Sequence, residues 1–147
     1  MGNTNIFKQF NGGIANLIDK PAVSALLSLV ARLMASAIFI IAGYGKLGAG
    51  YVGTQGYMAS MGVPSGLLPL VIALELGGGI ALLLGFQTRL VAFLLAGFSI
   101  SAALIFHTGA DPMQHINFLK NFSMAGGLLA FTMFGAGRLS LDGEARA

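Results

Sequence analysis

Cysteine is missing from this 147-residue chain, and charge is scarce. Without cysteine the chain can form no disulfide, no thiolate metal site and no dithiol redox pair of its own. Charged residues make up only 9% of the sequence, against about 25% in soluble domains. The net charge of +3 comes from eight basic residues that form no cluster, which excludes nucleic acid as a partner. Residues 1–20 hold Asn3, Asn5, Asn11, Asn16 and Asp19, with no short apolar core followed by a small-residue cleavage pattern. No removable signal is expected there, and the first long apolar run should stay in place as an anchor. The start also misses the myristoylation pattern, because Ile6 stands where Ser or Thr is required.

What the chain does have is hydrophobic residues, 56% of the total. They fall in four runs of roughly 17–24 residues, each long enough to cross about 30 Å of hydrocarbon as a helix. The expected fold is all-α, an integral membrane four-helix bundle. Its spans are placed at about residues 22–45, 66–86, 90–106 and 116–134, within a membrane domain of residues 21–134. Residues 1–20 form a polar or amphipathic N-terminal segment and residues 135–147 a polar tail. Gln87-Thr88-Arg89 is so short a turn that the second and third spans must be antiparallel neighbours. Lys8, Lys20, Arg89, Arg138 and Arg146 fall on one side of this topology, and only Lys46 and Lys120 on the other. The positive-inside rule then places both termini in the cytoplasm of a multi-pass inner-membrane protein.

Two segments outside the spans also show a pattern. Ile6, Phe7, Phe10, Ile14, Leu17 and Ile18 recur at three- and four-residue spacing, as in a helix lying at a lipid interface. Gly12-Gly13 interrupts them, so two short pieces or a flexible tail remain alternatives. In the glycine-rich loop 47–65, residues 55–61 read as a short interfacial helix, with Tyr51 and Tyr57 at headgroup depth. Small residues on the spans, above all Ala73, Gly77, Ala81 and Gly85 at four-residue spacing together with Gly78 and Gly79, predict close helix contacts. Those contacts are either internal to the bundle or an interface in a homo-oligomer.

Three spans carry an ionisable residue well inside: Arg32, Glu75 and Lys120. Such a charge costs on the order of 2.5–3.5 kcal/mol at a helix centre on insertion scales. Arg32, Ser36, Phe39, Gly43 and Lys46 share one face of the first span. Arg32 and Glu75, each near the middle of its span, are expected to form an intramembrane ion pair, as part of a site or as a staple that fixes helix register. Lys46, His107, His115, Asn117, Lys120 and Asn121 gather toward the opposite end from the termini. With Arg32 and Glu75 they could line one polar cleft. The two lysines could instead snorkel to the interface. His107 and His115 could carry protons, but with only Asp111 nearby they make a poor metal pair, and no metal site is expected.

Several segments together resemble the DoxX family of small bacterial membrane proteins. They are Ala31-Arg32, then Ile40 through Leu47, then Gly56 through Pro64, followed by Glu75, by Leu84 through Arg89, by Ile116 through Asn121, and by Leu139-Ser140-Leu141-Asp142. The matches run in order over about residues 30–142 and are most similar to the YphA-type inner-membrane proteins. The resemblance implies a four-helix membrane bundle in which Arg32, Lys46, Glu75, Asn117, Lys120 and Asn121 occupy recurrent polar positions. Namesake members are membrane subunits of a thiosulfate:quinone oxidoreductase, and many others have no assigned activity. The expected function is a redox-associated subunit whose cleft takes a quinone or a similar lipid-soluble ligand, at most a part of a quinone-linked oxidoreductase. Since the chain has neither thiols nor a dinucleotide fingerprint, electrons would come from a redox partner protein or a dissolved reductant. Two alternatives stand beside it: a non-catalytic assembly subunit whose charges only fix helix register, and transport of protons or small solutes.

Overall fold

The computed structural model describes residues 3–143; Arg146, counted above for topology, lies outside them. The described residues contain no strand. In chain order the helices are α1 (Asn3–Ile18), α2 (Pro21–Gly45), α3 (Ala49–Ser60), α4 (Ser65–Leu84), α5 (Thr88–Phe106) and α6 (Pro112–Phe134). Among them α2, α4 and α5 are long and apolar enough to cross a membrane. Helix α6 has 23 residues, and His115, Asn117, Lys120 and Asn121 in its first half dilute its apolar character. Met34 and Ile41 on α2 are each more than 70% exposed. Exposed apolar side chains of that size on a spanning helix face acyl chains.

Local chemistry sets the helix ends. Pro21 and Pro112 occupy the first turns of α2 and α6, where a missing N–H costs nothing. The Asp111 carboxylate accepts a hydrogen bond from the Met113 N–H at 3.2 Å, so α6 starts four residues before the span expected at 116. Helix α1 runs unbroken through Gly12-Gly13, and Phe7, Phe10, Ile14 and Leu17 on it are all more than half exposed. Helix α3 is longer than the expected 55–61 piece and buries Met58.

The most extensive helix contacts are α5 with α6 and α2 with α4. Their core holds Phe39 from α2, Leu82 from α4, Ala92, Leu95 and Ala96 from α5, and Ala125 and Leu128 from α6. The buried residues of α2 are Ala25, Arg32, Ser36, Phe39 and Gly43, the face that the sequence pattern picks out. Gly43 marks the closest approach to α4. A Cβ built there would lie 2.7 Å from the Leu76 backbone N and 3.0 Å from its Cα. Gly43→Ala must therefore push the two helices apart, and it is expected to lose about 1–3 kcal/mol of stability. Gly126→Ala, where an added Cβ meets nothing within 4 Å, serves as its control in circular-dichroism melts in detergent.

Helix α4 departs from the sequence pattern in its middle. It begins as a 3-10 turn over Ser65–Leu67, and Ala73–Gly77 form a π turn. One extra residue in a turn rotates everything beyond it by about 100° relative to a regular helix. The stripe Ala73, Gly77, Ala81 and Gly85 is consequently not the packing face. An added Cβ on Gly77 touches nothing within 4 Å, whereas one on Gly79 meets Phe39 and Ile40 of α2. The buried line is Glu75, Gly79 and Leu82.

At the end carrying the termini, the segment after α6 folds back over the α4–α5 turn. Gly85, at φ 67°, closes α4 in the left-handed region, and its bare Cα lies against Ser140, Ala136 and Arg32. The Leu141 and Asp142 N–H groups donate to the Leu84 and Gly85 carbonyls at 3.1 and 2.8 Å. The Asp142 carboxylate then accepts from the Gln87 and Thr88 N–H groups at 2.8 and 2.9 Å, capping the start of α5. Ser28 on α2 donates to the Ala136 carbonyl at 2.5 Å.

Candidate functional site

Arg32 belongs to this folded-back segment. Its guanidinium donates to the Leu83 carbonyl at 2.6 Å and to the Leu139 carbonyl, and the residue is 1% exposed. Partial burial pushes the Asp142 carboxyl up. Hydrogen bonds from Thr88 and Gln87 and the Arg32 charge outweigh that and hold its pKa below the ordinary 3.8. The expected Arg32–Glu75 pair does not form.

Glu75 pairs instead with Lys46: Nζ to Oε2 is 2.6 Å. The physical reason is helix register. Gly43 lies against Leu76, Gly79 against Phe39 and Ile40, and Arg32 against Leu83. That alignment sets Glu75 opposite the far end of α2, roughly 21 Å along the axis from Arg32. Span midpoints, on which the sequence expectation rests, do not coincide here. Glu75 is 5% exposed, and the Lys46 side chain is 22% exposed and also donates to the Ala42 carbonyl at 3.2 Å. The pair removes most of the penalty of holding either charge away from water. Glu75 sits at the centre of the π turn, a distortion that recurs at functional sites.

Above this pair lies a cavity of about 560 Å³, within the 300–1,000 Å³ typical of small-molecule sites. Six of the eight residues expected in a polar cleft line it: Lys46, Glu75, His107, Asn117, Lys120 and Asn121. Arg32 and His115 do not. His115 is exposed, although it shares the first turn of α6 with Gln114. The His107 Nδ1 lies 2.7 Å from the Gln114 Oε1. An amide oxygen only accepts, so in this contact Nδ1 is the donor. Asn121 Nδ2 donates to the Asn117 carbonyl at 2.9 Å. Lys120 has no hydrogen-bond or ion-pair partner among the described residues.

Sequence reasoning missed the roof. Helix α3 contributes Thr54, Tyr57 and Met58 to the cavity wall, and the Tyr57 ring stacks on Phe106 of α5 with centroids 5.4 Å apart. Tyr57 reads from sequence as an interface anchor, and nothing in its spacing announces a partner 49 positions away. Below, Phe39 and Phe98 supply an apolar floor. The result is an aromatic-walled chamber with polar groups gathered mainly on α2, α4 and α6. No group of histidine, aspartate and glutamate able to hold a metal occurs among the described residues.

Three apolar spans and a chamber with an ion pair at its base define a small multi-pass α-helical membrane protein in contact with the lipid bilayer. The chain belongs to the DoxX family, whose model matches residues 27–108. It is 48% identical to the inner membrane protein YqjF of Escherichia coli over 115 residues, 78% of this chain and 88% of that one. It is 40% identical to the E. coli inner membrane protein YphA over 132 residues, covering 84% and 94% of the two chains. A CatD protein of Bacillus subtilis, named as a candidate oxidoreductase, is 32% identical over 91 residues, 62% of this chain and 67% of its own. No solved structure matches the chain. With these relatives and its apolar spans, the protein is a multi-pass inner-membrane protein.

Proposed function

We propose that the protein is a redox-associated subunit of the inner membrane whose chamber binds a quinone or a similar lipid-soluble ligand. In this reading α2, α4, α5 and α6 form a four-helix membrane bundle with both termini cytoplasmic, and the chamber opens toward the opposite face. The observation that carries the reading is the chamber: its apolar and aromatic walls also hold the Lys120 ammonium, which has no protein partner among the described residues. A quinone needs hydrogen-bond donors at its carbonyls and a proton source on reduction. Lys120 and the Asn117 amide can donate, and the His107 ring lines the same chamber. The Lys46–Glu75 pair lies beside them. Electrons would be delivered by a partner protein or a dissolved reductant, since the chain has no thiols. The relationship to a Bacillus subtilis protein named as a candidate oxidoreductase is in keeping with this role.

The test is binding of decylubiquinone to the purified full-length protein, with solvent extraction of co-purified lipid to detect a resident quinone. Lys120→Ala removes one charged donor and is expected to weaken binding by about 10- to 100-fold. Because Lys120 is exposed and unpaired, its thermal midpoint should match that of the wild type. Wild-type affinity in this variant, or no binding of any quinone by either protein, would overturn the proposal.

A further inference from the structure

The chamber does not balance its own charge. Among its lining residues the only acid is Glu75, and Lys46 at 2.6 Å already neutralises it. Lys120 lines the same space on α6 with no counter-charge. Asn117, one helical turn before it, and Asn121, the next residue, are uncharged, and Asn121 turns its amide nitrogen onto the Asn117 carbonyl. The carboxylates in its own part of the chain do not help, because Asp111 spends an oxygen capping α6 outside the chamber. The Lys120 side chain is exposed, and a neutral headgroup would offer its ammonium only dipoles. An anionic headgroup would pair with it, and such pairing strengthens as water is displaced from between aromatic walls.

From this imbalance we infer that the preferred ligand is anionic: an acidic hydroxylated aromatic that is ionised at pH 7, such as a hydroxyquinone anion, rather than a neutral quinone. The stacked Tyr57 and Phe106 rings and the apolar floor take the ring, and Lys120 takes the oxyanion. The inference rests on the ligand-binding role proposed above and adds the charge state of the ligand.

A matched pair separates the two. 2-Hydroxy-1,4-naphthoquinone is ionised at pH 7, whereas 2-methoxy-1,4-naphthoquinone is neutral and has nearly the same shape. With full-length protein in detergent at low salt, the ionised compound should bind at least tenfold more tightly. In Lys120→Met the ratio of the two affinities should fall to about one, and in Lys120→Arg the preference should persist. Equal affinity in the wild type, or a preference that survives Lys120→Met, would overturn this inference and leave the ligand-binding role standing. Failure of both compounds and of decylubiquinone would overturn both.

Discussion

Lys46→Ala is expected to be the more damaging half of the ion pair, with a loss of about 3–5 kcal/mol, because it strands a carboxylate that is 5% exposed. Glu75→Ala should cost less, about 2–3 kcal/mol, since the Lys46 side chain is 22% exposed and its long stem can carry the ammonium toward solvent. The double variant Lys46→Met with Glu75→Leu removes both charges, and most of the lost stability should return. Circular-dichroism melts of the wild type, Lys46→Met, Glu75→Leu and their double variant in one detergent form a double-mutant cycle, and a coupling energy below about 0.5 kcal/mol would show that the pair contributes nothing as a pair. The cycle also separates structure from function. If the charges only fix helix register, the well-folded double variant keeps its ligand affinity. If they serve the chamber, affinity falls although the fold is restored.

Arg32→Leu is the second large effect, and it should appear at the other end of the molecule. The substitution leaves the Leu83 and Leu139 carbonyls without their charged donor and removes the cation beside Asp142. Hydrogen bonds to charged groups contribute about 1.5–3 kcal/mol each, so a loss of roughly 3–5 kcal/mol is expected. Release of the segment after α6 should follow, seen as faster proteolysis near residues 135–143, while quinone affinity stays close to wild type. A selective loss of quinone affinity with the segment still protected would return Arg32 to the ligand site. Acid should loosen the same clamp in the wild type. The Asp142 carboxyl has a folded-state pKa below its ordinary 3.8. Its stabilisation is therefore complete above that value and is lost as pH falls through the lower, folded-state pKa. Proteolytic protection of the segment should decline below about pH 4, and Asp142→Asn should show the weaker protection already at pH 7.

The sequence by itself determined the membrane class, the helical content and the buried face of α2. Hydrophobic run length and the 3.6-residue period are local quantities, so the face carrying Arg32, Ser36, Phe39 and Gly43 could be named before any coordinates. The grouping of Asn117, Lys120 and Asn121 was legible for the same reason. Even the folded-back segment left a trace, since Leu139-Ser140-Leu141-Asp142 is part of the family resemblance although its composition suggests only a polar tail. Tertiary structure alone decided which charges meet. Periodicity fixes the direction a side chain points but not how far one antiparallel helix slides along another. That offset follows from the close approach of Gly43 to Leu76 and from the α4–α5 turn gripped by Arg32 and Asp142. The π turn has no period of its own to detect, yet it moves the buried line of α4 from Gly77 to Gly79 and sets Glu75 within reach of Lys46.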